Sequence, residues 1–161
     1  MRQIGLIAII AFIFFLIEFS LFNFFGSWLR PNLMILLIIF FTLYTGIRYG
    51  LVAAILGGLL RDSFGIGIFG LHMFSFTVCA YLTVIIKKYL YQVETGFLRT
   101  YLAFIITILN ILIIYGMLSM ISPVNFYQMV VRIMIPETLA TTLISIFVFN
   151  KLNQCVLKLS V

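Results

Sequence analysis

The groups in this chain that could move a proton, hold a cation or bind an anion are few: ten Lys and Arg, four Asp and Glu, and one His. Their densest gathering is Gly57-Gly58-Leu59-Leu60-Arg61-Asp62 with its sequel Gly65-Ile66-Gly67-Ile68-Phe69-Gly70-Leu71-His72. An aspartate and an imidazole this close in sequence are the raw material of acid–base catalysis. Glu18, Arg132 and Glu137 stand further off, each inside an apolar run. Asp62 and His72 are the only residues of their types, so an aspartyl dyad is excluded and a His-rich metal site has too few ligands. A glutamate could supply a second carboxylate, but no HExxH or GxSxG pattern accompanies it. The chemistry expected is therefore structural: no enzyme, no cofactor and no metal. Cys79 and Cys155 are too few and too far apart for a disulfide framework and read as packing residues.

The elements that must position these groups are membrane helices. Hydrophobic residues make up 65% of the 161-residue chain and charged residues only 9%, against about 25% charged in soluble domains; mean hydropathy is +1.28. The formal charge of +6 comes from cations scattered at helix ends, which reports topology rather than a nucleic-acid surface. Arg2 followed by apolar Ile4 to Phe25 imitates a signal peptide, but the run exceeds a signal h-region and lacks a small-x-small cleavage site. It reads as the first helix of one polytopic domain, residues 1–161.

Apolar runs of about 20 residues per crossing predict an all-α bundle of six transmembrane helices at about 4–25, 33–47, 49–64, 69–86, 98–119 and 126–149. A merged helix from Leu33 to Leu60 is the competing five-span reading. Six spans with both termini cytoplasmic place Arg2, Arg48, Lys87, Lys88, Arg99, Lys151 and Lys158 on the cytoplasmic side, as the positive-inside rule asks. Trp28 and Pro31 suit the loop from Gly26 to Asn32. The 87–99 loop is the only cytoplasmic connection large enough for docking, and Ser122-Pro123 leaves little surface outside.

At 1.5 Å per residue, Asp62 lies about 20 Å into the third span and Glu18 about 21 Å into the first. Arg61, His72, Arg132 and Glu137 fall in the same half of the bilayer. This predicts a polar cluster of Glu18, Arg61, Asp62, His72, Arg132 and Glu137 turned into the bundle, since charge facing hydrocarbon is costly. Depth makes Glu18 the expected partner of Arg132, because Arg132 and Glu137 sit about 140° apart around their helix. Pro136 predicts a kink. Gly46, Gly50, Ala54 and Gly58 recur every four residues, a small-residue face for packing or for a partner helix.

Arg30-Pro31-Asn32-Leu33 and Gly58-Leu59-Leu60-Arg61-Asp62, followed by Gly65, Gly70-Leu71, Ser75-Phe76 and Ala80-Tyr81-Leu82, give the chain its resemblance to the bacterial MreD family of rod shape-determining proteins. Pro31, Asn32, Asp62, Gly70 and Tyr81 match family-motif positions; Ala80 stands where a glycine is common. The resemblance implies a non-enzymatic scaffold in the bacterial inner membrane. It implies partnership with the bitopic protein MreC and, directly or through the complex, with MreB filaments, RodA and a class B penicillin-binding protein in lateral peptidoglycan synthesis. The implied fold is similar to the substrate-binding component of energy-coupling-factor transporters. That likeness supplies the alternative function, capture of a small molecule in the polar cluster.

Overall fold

The computed structural model describes residues 2–25, 31–64, 68–90, 96–120 and 126–159. The described chain is helical: α1 (Arg2–Phe25), α2 (Leu33–Tyr44), α3 (Ile47–Phe64), α4 (Leu71–Leu90), α5 (Gly96–Ser119), α6 (Phe126–Met129) and α7 (Ile135–Leu159), with a π-helical turn at Val130–Met134 joining the last two. Arg30, the Gly65 to Gly67 stretch and most of the expected connections around Trp28, Glu94 and Ser122-Pro123 lie outside the described residues.

α2 is the axis of the molecule. Its sequence, Leu-Met-Ile-Leu-Leu-Ile-Ile-Phe-Phe-Thr-Leu-Tyr, is apolar on every face, and every residue from Leu33 to Leu43 is buried. A helix without a polar face must be enclosed, and α1, α3, α4, α5 and α7 all pack against this one. α1 sends Ile7, Ala11 and Phe15 inward at four-residue spacing and leaves Ile9, Phe12, Ile13 and Leu16 exposed. An apolar outer face of that extent belongs against lipid rather than water.

Small residues set how closely α3 approaches its neighbours. A Cβ at Gly50 would run into the Thr42 side chain of α2, and one at Gly58 would run into the Met73 backbone of α4. With Ala54 also fully buried, Gly50, Ala54 and Gly58 are internal packing positions. Gly46 does not share their face. It takes a φ of 98° and ends α2, its N–H and that of Thr45 both donating to the Phe41 carbonyl at 3.1 and 2.9 Å. This left-handed glycine cap corrects one expectation, since the break falls at Thr45-Gly46 rather than Arg48; the competing merged helix does not form.

Among the described residues, four helical segments are long and apolar enough to cross a membrane: Ile4–Leu21, Leu71–Tyr89, Leu98–Ser119 and Tyr127–Leu152. α2, with 12 residues, is about 18 Å long, and α3 carries Arg48, Arg61 and Asp62. The irregularity expected at Pro136 appears as the π-helical turn just before it, where the Ile135 N–H reaches back to the Val130 carbonyl. A proline has no N–H to close an ordinary turn at that point, and the widened turn accommodates the loss.

Candidate functional site

The polar groups collect where α2 and α4 begin. The first amides of a helix have no partner within it, and in apolar surroundings each one left unpaired is costly. α2 solves this with residues from three elements. Glu18 of α1 accepts through Oε2 from the Leu33 and Met34 amides at 3.1 and 3.3 Å. Asn32 accepts through Oδ1 from Ile35 N at 3.2 Å, a conventional N-cap. The same Asn32 donates its Nδ2 to Glu137 Oε1 at 3.0 Å and its backbone N–H to Thr141 Oγ1 at 2.9 Å, both on α7.

α4 repeats the device with one carboxylate. Asp62, near the end of α3, accepts through Oδ2 from Gly70 N at 3.0 Å and Met73 N at 3.1 Å. Its Oδ1 takes the His72 backbone N–H at 3.1 Å and stands 2.8 Å from the His72 Nδ1. A negative group at a helix N-terminus also gains from the helix dipole. Gly70 turns the chain into this cap with a φ of 94°, a conformation that costs glycine little.

The two caps are joined by Arg61. Its Nη2 lies 3.3 Å from Glu18 Oε1, and its guanidinium sits 5.9 Å from the centre of the Phe76 ring. The pairing corrects the expectation that Glu18 would meet Arg132: α3 packs along α1 and brings Arg61 to Glu18, while Arg132 is exposed on the π-helical turn. One turn further along α4, Ser75 donates to Asn110 Oδ1 of α5 at 2.7 Å, both residues fully buried.

Thus Glu18, Arg61, Asp62, His72 and Glu137 are brought into one layer, and Arg132 is not. Of the family-motif positions, Asn32, Asp62 and Gly70 are parts of the caps and Pro31 is buried beside them, whereas Tyr81 is 55% exposed on α4. The opposite end of α2 is served by cations. Lys87 donates Nζ to the Leu43 carbonyl at 2.7 Å, and the Arg99 guanidinium lies 5.6 Å from the Tyr44 ring centre. Sequence reasoning missed Asn32 as a hub, Asn110 and the reach of Lys87. Asn before an apolar run is an N-cap signature that would have marked Asn32; Lys87 has no local signal.

This layer fastens helices. Both oxygens of Glu18 and of Asp62 are engaged, and among the described residues no three His, Cys, Asp or Glu side chains gather as a metal site. A cleft of about 410 Å³ opens beside it, lined by Ile68, Phe69, Gly70, Leu71, Phe74, Met117 and Met120, without a charged side chain.

The model of the family described as rod shape-determining protein MreD matches residues 1–155. Searches of curated proteins and of solved structures gave no match. With four apolar helices of crossing length, this is an integral membrane protein with a role in determining rod shape, and the chain belongs to the MreD family.

Proposed function

We propose that this protein is a non-enzymatic scaffold of the bacterial elongation machinery, holding MreC in the inner membrane and thereby helping direct lateral peptidoglycan synthesis with MreB, RodA and a class B penicillin-binding protein. The observation that carries the reading is the family match over residues 1–155. The engagement of Glu18 and Asp62 in capping supports it, because these carboxylates are committed to rigidity rather than to a reaction. The same commitment weighs against the transporter-component alternative, since ligand pockets need convergent polar groups free to meet the ligand, and the described cleft is apolar.

The proposed topology is six crossings of the inner membrane with both termini cytoplasmic. α2 is short, yet its N-terminus lies level with Glu18 and its C-terminus receives Lys87 from the last turn of α4. It therefore runs alongside α4 from the carboxylate layer to the basic end. A helix recessed in this way crosses inside protein without spanning the full hydrocarbon thickness itself. Basic residues at the α4–α5 end favour the cytoplasmic side.

The test is co-purification. Tagged protein solubilised from native membranes should carry MreC in stoichiometric amount and no tightly held small molecule. Recovery of a vitamin-like ligand without MreC would replace the scaffold by the transporter component.

A further inference from the structure

Arg132 is the cation that the polar layer does not use. It pairs with none of the three described carboxylates: Glu18 holds Arg61, Asp62 holds the start of α4, and Glu137 accepts from Asn32. Its side chain is exposed, as is Gln128 one turn earlier. The surrounding surface is apolar: Tyr127, Val131, Ile135, Leu139, Leu143 and Phe147 recur every four residues with exposures of 78, 46, 47, 55, 68 and 75%. A stripe of this kind on a segment apolar enough to cross a membrane meets acyl chains.

Position fixes the chemistry of what Arg132 meets. It stands six residues after Phe126, where α6 begins, so it is about 9 Å along the helix. A long side chain at that depth reaches the interface by snorkelling. Among the described residues, the exposed polar groups that precede it on this helix are the Gln128 amide and the Tyr127 hydroxyl, both able to donate, and no carboxylate lies on the exposed face of the described helix. A fork of N–H donors matches a phosphate diester, and the apolar stripe below matches the chains attached to it.

We infer that Arg132, with Gln128 and Tyr127, forms a headgroup site for an anionic phospholipid, whose acyl chain lies along Val131, Ile135 and Leu139. The site is separate from the caps of α2 and α4 and does not depend on the scaffold reading. The π-helical turn Val130–Met134 gives it a local irregularity of a kind that often accompanies functional positions.

Native mass spectrometry of the full chain, released from mixed micelles of equal phosphatidylglycerol and phosphatidylcholine, tests this. The wild type should retain phosphatidylglycerol over phosphatidylcholine by about five- to tenfold, the scale of one well-placed cation at a charged membrane surface. Arg132→Gln should bring the ratio near parity, Arg132→Lys should leave an intermediate preference, and Gln128→Leu should weaken it. Lys151→Gln, at an exposed position far along the same helix, should not change it. Equal ratios for wild type and Arg132→Gln overturn the proposal. Displacement of the lipid by excess inorganic phosphate overturns it too, making the site one for the free anion. Should MreC recovery fall in Arg132→Gln while the lipid ratio stays, the cation serves a partner's carboxylate and the lipid site is wrong.

Discussion

The two ends of α2 face the same electrostatic problem and answer it differently. At the N-terminal end the acceptors come from α1, from Asn32 itself and from α7, so three segments must converge before its amides are satisfied. At the C-terminal end the carbonyl of Phe41 is closed locally by Thr45 and Gly46, and one lysine reaches Leu43. The first end is tertiary and the second largely local. Charged hydrogen bonds contribute about 1.5–3 kcal/mol each, so the carboxylate end should govern stability.

The largest effect should follow from Asp62→Leu, which strips the start of α4 of the acceptor for three amides and the His72 ring. A loss of about 3–5 kcal/mol is expected, on the scale of breaking a buried charged contact. Thermal unfolding in detergent should show it, and abundance in the membrane should collapse. Survival at wild-type stability would mean that the caps are ornamental.

Gly58→Leu comes next, because α4 must move away from α3 to admit any side chain against the Met73 backbone. Overpacking of this kind costs about 1–3 kcal/mol or more. Fold and abundance should fall together. A variant that remains stable and loses only MreC would turn this internal face into a partner interface.

The sharpest comparison is the smallest. Glu18→Gln keeps the shape of the cap and removes its charge from the α2 amides and Arg61, at a cost of about 1–3 kcal/mol. Lys87→Met removes one charged hydrogen bond, that to the Leu43 carbonyl, from the opposite end and should cost about 1.5 kcal/mol, the lower end of the range for such a bond. Equal melting temperatures for the two variants would abolish the asymmetry argued for α2.

The helical class and the enclosed character of the region were legible because apolar composition and run length express bilayer solvation directly. Glu18 and Asp62 stood out for the same reason: charge within hydrocarbon-length runs has to be compensated. Their partners were not legible. Matching Glu18 to Arg132 used depth alone, whereas the contact with Arg61 depends on which helices are neighbours around the bundle, a property that residue spacing within one helix does not encode. The break lies at Gly46 rather than Arg48 because glycine adopts a φ of 98° cheaply, whereas a charge does not by itself end a helix.

The contacts of Asn32 with α7 also bear on the order in which the chain is made. Synthesis runs from the N-terminus, so α2 emerges well before Glu137 and Thr141 exist. Until then its first turn has Glu18 and its own asparagine, and the asparagine's remaining donors must be served by water or by a holding partner. The innermost helix is thus completed by one that leaves the ribosome after α3, α4 and α5. An insertion intermediate ending before α7 would keep its core helix near water or a chaperone surface, and closure of the bundle would double as a check that α7 has been translated.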